Sequence, residues 1–217
     1  MTHKVRILLA RHGQTEWNAQ RRFQGKTDVP LNESGLNEAR MLAVRLKNWP
    51  VDAIYTSPFS RALETAKIVS DLNVNAARLE VRSELEEMSF GNWEKLSVHD
   101  VAKSFPGRYE AWKDDPSKVV PPGGESFEDV VKRVKPVLDD ILNREDREVL
   151  IVAHGGVIRA IVVLLLGLSP SGIWHMRLDN CALVGLVLKD GKASLLFWND
   201  THHLHLPVNL IEKLFIP

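Results

Sequence analysis

Short apolar runs alternate along this chain with longer segments in which apolar residues recur every three or four positions. Five short runs predict strands, namely residues 5–10, 52–56, 149–153, 183–188 and 194–198. The longer period predicts helices with apolar faces at residues 36–46, 62–72, 127–141 and 157–166. Strands that alternate with helices indicate an α/β fold. We expect a three-layer α/β/α sandwich with a largely parallel sheet.

One stretch interrupts this alternation. Residues 91–124 contain two Trp, one Tyr and four Pro residues but no long periodic pattern. We therefore expect a small helical lid inserted into a single domain that spans residues 1–217. A proline inside a helix removes a backbone donor and clashes with the preceding turn. Pro136 lies within the pattern of 127–141, so we expect that helix to kink or break there.

Composition narrows the classes of partner. The 217 residues contain 28 Lys and Arg against 28 Asp and Glu, so the formal net charge is zero. Nucleic-acid binders normally carry a basic excess, which argues against that class. The longest apolar run, residues 160–168, is too short for a bilayer crossing, which needs about 20 residues. A single cysteine, Cys181, and an N-terminus without the layout of a signal peptide favour a cytoplasmic location.

Three polar clusters directly follow predicted strands. They are Arg11-His12-Gly13, the segment 57–61 and His154-Gly155. In open α/β sheets, ligands bind beyond the carboxyl ends of the strands. We therefore expect Arg11, His12, Arg61 and His154 to converge. Arginine presents a planar fork that matches phosphate oxygens, so this group predicts an anion site.

These residues also carry a family resemblance. Residues 11–18, Arg-His-Gly-Gln-Thr-Glu-Trp-Asn, resemble the signature of the histidine phosphatase superfamily, also called phosphoglycerate mutase-like. Further matches in the family's order are Arg22-Phe23-Gln24-Gly25, residues 28–31, Gly35, Ser57-Pro58, Arg61-Ala62, Thr65-Ala66, Leu85, Glu87, Gly91, residues 122–126 and residues 153–156. The match is most similar to the phosphatase-type branch, which includes broad-specificity and α-ribazole phosphatases.

The resemblance implies a mechanism with named roles. His12 would be the nucleophile that forms a phosphohistidine. Arg11, Arg61 and His154 would hold the oxygens of the transferring phosphoryl group. Glu87 would be the general acid and then the base. The resemblance places further substrate contacts at Asn18, Gln24, Gly25 and Gly155. It implies no metal and no cofactor, because arginines supply the positive charge.

Two neighbouring carboxylates compete for the role of the acid. In the family the acid stands two positions after a leucine, and counting from Leu85 selects Glu87. Adjacent side chains in an extended segment point to opposite faces. We therefore expect Glu86 to be solvated. Lys95 departs from the family's pattern, because family members often have glycine at this position. This difference can alter the geometry of the lid and the substrate preference.

The family contains both phosphatases and mutases. Similar mutases usually carry a longer insertion with extra basic residues, whereas residues 91–124 are short. We therefore predict hydrolysis of a small phosphorylated metabolite, without a nucleic-acid or membrane partner. The alternative hypothesis is that the protein is a 2,3-bisphosphoglycerate-dependent phosphoglycerate mutase. A third hypothesis is that it is a non-catalytic phosphate-binding module. The sequence indicates no oligomeric state.

Three histidines crowd into residues 202–205. Neutral imidazoles are common metal ligands, so one hypothesis is that His202, His203 and His205 bind a metal ion. However, apart from Asp200 no carboxylate or cysteine set of suitable spacing accompanies them. The stretch 199–204 also resembles the closing motif of phosphatase-type members of the family. One of these histidines could instead line the mouth of the pocket.

Overall fold

A computed structural model describes residues 4–75 and 78–205 of this chain. Within them, six strands form one sheet: β1 (Lys4–Arg11), β2 (Ala53–Thr56), β3 (Arg78–Val81), β4 (Glu148–Ala153), β5 (Leu183–Lys189) and β6 (Lys192–Asp200). The order across the sheet is β3-β2-β4-β1-β5-β6. The first four strands pair in parallel, and β5 and β6 add an antiparallel edge. The predicted, largely parallel sheet is confirmed.

Eight helices lie within the same described residues. They are α1 (Glu16–Ala19), α2 (Glu33–Leu46), α3 (Ser60–Leu72), α4 (Val98–Ser104), α5 (Arg108–Asp114), α6 (Phe127–Asn143), α7 (Gly155–Leu166) and α8 (Pro170–Ile173). One core lies between the sheet and the pair α2 and α3, and a larger core lies between the sheet and the pair α6 and α7. Apolar faces buried against both sides of the sheet account for the three layers, as the sequence predicts.

Helix α6 corrects the expectation of a break at Pro136, because the helix continues through that residue. The side chain of Pro136 is exposed, so the backbone carbonyl that loses its hydrogen bond lies on the solvent face. Six residues of the opposite face are buried in the larger core, namely Phe127, Val130, Val134, Val137, Leu138 and Ile141. Burial of this face outweighs the roughly 3 kcal/mol that an interior proline costs a helix.

Residues 91–124 contain the short helices α4 and α5 and build a small aromatic core of their own. Trp93 is fully buried in it, with its ring centroid 5.7 Å from that of Trp112. Phe23, which follows β1, packs against Trp93 at 5.4 Å and against Phe90 at 5.0 Å. The segment is therefore anchored through Phe23 to the loop that leaves the first strand. Nowhere in residues 4–75 and 78–205 is a helix both long and apolar enough to cross a bilayer.

Lys95, the departure from the family's glycine, adopts a backbone conformation that glycine favours, with φ of 73°. Its amide donates to Phe23 O at 2.9 Å, and its carbonyl accepts from Arg22 Nη1 at 2.8 Å, so the backbone is held in this conformation. A side chain in the left-handed region costs energy because its Cβ approaches the following carbonyl oxygen. The exposed lysine thus occupies a strained position in the segment 91–124.

We expect Lys95→Gly to raise the free energy of unfolding by up to about 1 kcal/mol. Glycine relieves the backbone strain, and the greater conformational entropy that glycine loses on folding offsets part of this gain. Urea denaturation of the purified chain measures the change. Lys103→Gly, at an exposed position in the last turn of α4, is the matched control and should lower stability by up to about 0.5–1 kcal/mol. A loss of stability in Lys95→Gly equal to that of the control would contradict the strain assigned to Lys95.

Candidate active site

The three polar clusters meet where β1, β2 and β4 end. These strands are parallel neighbours in the sheet, so their carboxyl ends lie at one edge. A cavity of about 200 Å³ opens there. It is lined by Arg11, His12, Asn18, Arg22, Phe23, Gln24, Gly25, Arg61, Glu87, Phe90, Gly155, Gly156, Arg159, Trp174 and Leu178. Of the nine site residues expected from the sequence, all but His154 line this cavity.

His12 follows the last residue of β1 and is almost fully buried. Its Nδ1 lies 2.7 Å from the carbonyl oxygen of Gly13, which can only accept, so Nδ1 carries the proton and donates it. Nε2 is then the unprotonated nitrogen available to the cavity. Burial, followed by the positive charges of Arg61 and Arg11, lowers the pKa of His12 well below its usual value of 6.5. The ring is therefore neutral near pH 7, as a nucleophile must be.

His154 lies next to His12, with its ring centroid 5.1 Å away. It is fully buried at the end of β4 and caps the N-terminus of α7. Neither ring nitrogen has a hydrogen-bond partner in the part of the chain that the structure describes. Burial, and next the charge of Arg61, lowers the pKa of His154 well below 6.5, so this ring is neutral as well. A neutral imidazole can offer one N–H to a phosphoryl oxygen.

The buried Arg61 and the partly buried Arg11 lie on the same cavity as His12. Arg61 Nη2 donates to Gly25 O at 2.8 Å, and Nη1 donates to Thr27 O at 3.0 Å. Burial lowers the pKa of Arg61 to about 10, which leaves it charged at neutral pH. Arg11 donates from Nη1 to Leu178 O at 2.7 Å, and burial lowers its pKa too. Backbone carbonyls thus hold both guanidinium groups at the cavity.

Gly25 supplies one of these carbonyls from a backbone with φ of 55°. A Cβ at this position would lie 2.2 Å from Glu94 Oε1, so the position requires glycine. The carboxylate of Glu94 accepts from the amides of Lys26 and Thr27 at 3.1 and 3.0 Å. Glu94 therefore orders the loop on which Arg61 depends, a positioning contact that sequence reasoning did not find.

Two amide side chains line the same cavity. Asn18 Oδ1 accepts from Thr15 N at 3.1 Å and from Asn180 Nδ2 at 3.2 Å, which leaves Nδ2 as the atom available for a ligand. Asn180 Nδ2 also donates to His12 O at 3.0 Å, so one side chain ties the nucleophile to Asn18. Gln24 is buried, and its Oε1 has no partner within the described residues.

Glu87 is the carboxylate that faces the cavity. Its Oε1 accepts from Met88 N at 2.8 Å and from Gly156 N at 3.1 Å, so Oε2 is the freer oxygen. Gly156 must lack a side chain here, because a Cβ would lie 2.7 Å from Oε1. Glu86 does not line the cavity, as expected, and it is partly solvated. Its side chain is 26% exposed and lies 3.7 Å from Lys26 Nζ, which offsets its charge.

Sequence reasoning missed several residues of the cavity wall. Arg159 stands one helical turn after Gly155, so the i, i+4 spacing on one face of α7 was the available signal. Trp174 and Leu178 come from the segment after α8, which no pattern linked to the site. Arg22 stands in one of the matched motifs but was given no role, and Phe90 was not predicted to be part of the site. Four arginines and one glutamate line the cavity, so its charge is positive although the chain is neutral.

The histidines of 202–205 lie elsewhere. His203 is buried, and its Nε2 lies 3.0 Å from the carbonyl oxygen of Cys181, so it serves as a structural donor. His205 lines a separate cavity beside Glu38 and Asp179. No histidine of this cluster lines the cavity at His12, so the suggestion that one lines its mouth is wrong. Among residues 4–75 and 78–205, no group of three His, Cys, Asp or Glu side chains is placed to hold a metal.

Comparison with known proteins agrees with this geometry. The chain is 34% identical over 203 residues to phosphoserine phosphatase 1 of Hydrogenobacter thermophilus, covering 92% of this chain and 94% of that protein. It is 31% identical over 197 residues to adenosylcobalamin/alpha-ribazole phosphatase of Salmonella typhimurium, covering 90% and 96%. Mycobacterial glucosyl-3-phosphoglycerate phosphatase, solved in complex with VO3, has a TM-score of 0.80 and 31% identity, with coverage of 90% and 98%.

The pattern of the family itself extends over most of the sequence. Residues 7–201 match the histidine phosphatase superfamily (branch 1), which includes every strand of the sheet at least in part. The resemblance carried by residues 11–18 and their partners is thereby confirmed. The chain belongs to branch 1 of the histidine phosphatase superfamily.

Proposed function

We propose that this protein hydrolyses a small phosphate monoester through a phosphohistidine formed on His12. Phosphomonoester hydrolysis is the activity that the family and its named phosphatase relatives support. The residue assignment rests above all on the His12 ring. Its Nδ1 is committed to Gly13 O, its pKa is lowered, and Nε2 remains for the cavity between two arginines.

In the first step, His12 Nε2 attacks phosphorus while the bond from phosphorus to the ester oxygen breaks. Arg11 and Arg61 stabilise the charge on the phosphoryl oxygens, and His154 and the Nδ2 of Asn18 supply further donors. Glu87 gives its proton to the departing oxygen, so the product leaves as a neutral alcohol. The enzyme then carries a phosphoryl group on nitrogen and a negative charge on Glu87.

In the second step, the Glu87 carboxylate takes a proton from water, and the water oxygen attacks phosphorus. The bond between nitrogen and phosphorus breaks and returns neutral His12. Inorganic phosphate leaves, and Glu87 is protonated again. Two moderate displacements thereby replace one difficult displacement by water.

The residues that line the cavity favour hydrolysis over the mutase alternative, because no basic residue of the segment 91–124 is among them. Residues 91–124 carry Lys95, His99, Lys103, Arg108, Lys113 and Lys118, and none of these lines the cavity. No basic group from this segment is therefore placed to bind a second phosphate.

In our proposal, residues 91–124 form the lid of a single domain and pack against Phe23 and Phe90. We also assign a cytoplasmic location, which fits a chain with one buried thiol.

An assay with two kinds of substrate tests this proposal. We expect phosphate release from p-nitrophenyl phosphate and from 3-phosphoglycerate, with an acid-labile phosphoenzyme after rapid quenching. With 2,3-bisphosphoglycerate added, interconversion of 2- and 3-phosphoglycerate should stay slower than hydrolysis. Faster, bisphosphate-dependent interconversion would make the protein a mutase. Binding of phosphate without turnover of any ester in a broad panel would make it a non-catalytic module.

A further inference from the structure

Arg159 is a cation at the cavity that the phosphoryl-transfer steps do not use. It projects from α7, and no carboxylate lies within ion-pair distance of it among the described residues. Nη1 donates to Gly155 O at 3.0 Å, and Nη2 donates to Met176 O at 2.9 Å. These bonds use two of the five N–H groups of a guanidinium. Partly buried cations are normally paired, so the remaining donors call for an anionic ligand group.

The position of Arg159 within the cavity separates it from the phosphoryl cage. A Cβ on Gly155 would lie 3.3 Å from Arg159 Nη1 and 3.8 Å from Glu87 Oε2. Gly155 has no side chain, so the space beside it is bounded by the guanidinium and by the proposed acid. The ester oxygen must lie at Glu87 to receive its proton. The first atoms of the leaving alcohol therefore lie within reach of Arg159.

The neighbours of Arg159 also restrict what can bind. Cζ of Arg159 lies over the ring of Trp174, 4.8 Å from the ring centroid. Trp174 itself packs edge-on against Phe127 and Trp112 at 5.5 and 6.1 Å, so it is held in place. Arg159 Nε has no hydrogen-bond partner within the described residues, so the guanidinium still has N–H groups free along its edge. The edge of an arginine matches the two oxygens of a carboxylate.

We propose that Arg159 is a specificity-determining residue that binds a carboxylate on the leaving alcohol. The preferred substrates are then phosphate monoesters of short hydroxy acids, with the carboxylate a few bonds from the ester oxygen. This inference rests on the proposed function, since it assumes that Glu87 marks the position of the leaving group. The phosphoryl group occupies Arg11 and Arg61, and the carboxylate occupies Arg159.

A matched pair of substrates isolates this contact. 3-Phosphoglycerate and glycerol 3-phosphate differ only in a carboxylate against a hydroxymethyl group. We expect the wild-type chain to prefer 3-phosphoglycerate by roughly tenfold or more in kcat/KM, the range of one charge-assisted hydrogen-bonded contact. Arg159→Met should abolish this preference, mainly through KM, and lower kcat/KM for 3-phosphoglycerate more than for glycerol 3-phosphate. Arg108→Met, an exposed arginine of α5, is the control and should leave the preference intact.

Two further variants separate recognition from structure. Arg159→Gln keeps a polar amide but lacks the charge, so it should lose the preference while remaining folded by thermal denaturation. Arg159→Lys should retain part of it. An equal fall for both esters in Arg159→Gln, or no preference in an active wild-type chain, would overturn the inference alone. A wild-type chain that hydrolyses neither ester nor p-nitrophenyl phosphate would instead remove the proposed function.

Discussion

His12→Ala is expected to abolish turnover, with kcat falling by roughly four to six orders of magnitude, as when another covalent catalyst loses its nucleophile. The imidazole of His12 donates from Nδ1 to Gly13 O, and its pKa is lowered, so Nε2 is the atom available to attack. Alanine removes that atom, so no bond from nitrogen to phosphorus can form. The remaining arginines should still bind phosphate, because Arg11 and Arg61 are held by backbone carbonyls and not by His12.

Rapid acid and alkaline quenching with phosphorus-labelled substrate measures this outcome directly. The wild-type chain should show an acid-labile, alkali-stable phosphoenzyme, and His12→Ala should show none. His99→Ala removes an exposed histidine from α4 and serves as the control, with turnover unchanged. If labelled phosphoenzyme persisted in His12→Ala, the nucleophile would have to be another histidine, and His154 would be the next to test.

Glu87→Gln should separate the two steps. For alkyl phosphates, whose alcohols leave only when protonated, we expect kcat/KM to fall by about 10²–10⁴-fold, the range of general acid catalysis. p-Nitrophenolate is a stable anion and leaves without a proton, so formation of the phosphoenzyme from its ester should be much less affected. Attack by water still needs the base. The variant should therefore release a burst of nitrophenolate and accumulate phosphoenzyme.

Stopped-flow absorbance and the labelled-enzyme assay record both signals. Glu86→Gln is the matched control, since Glu86 is the adjacent carboxylate and faces Lys26 outside the cavity. It should change kcat/KM less than about threefold, as expected for a partly exposed ion pair. A large loss in Glu86→Gln with little effect of Glu87→Gln would reverse the assignment of the acid. Equal losses of alkyl and nitrophenyl esters in Glu87→Gln would indicate a structural defect.

Much of the site could be predicted because its parts follow strands whose apolar runs are unmistakable. Parallel strands bring their carboxyl ends to one edge, so Arg11 and His154 could be placed together although 143 positions separate them. The resemblance then selected Glu87 over Glu86. Strand β3 escaped prediction because its four residues lie at the edge of the sheet and none is buried, so they leave no apolar pattern.

Other features depend on tertiary contacts that a one-dimensional pattern does not contain. The continuity of α6 through Pro136 follows from burial of its opposite face. Arg159 and Trp174 become parts of one wall only because the chain turns back after α8, which places Met176 O beside the guanidinium. The conformation of Lys95 depends on backbone bonds to Phe23 and Arg22. These contacts exist only once the chain has folded.

The strand order has a consequence for synthesis of the chain. Strand β1 carries the nucleophile at its end, but its partners in the sheet are β4 and β5, which begin at Glu148 and Leu183. On a ribosome, the apolar residues of β1 therefore have no strand partners until β4 and β5 have been made. Pairings between distant segments form slowly, and unpaired apolar strands are prone to aggregate meanwhile. Strand β1, which is made before both of its partners, is thus exposed to aggregation during that interval.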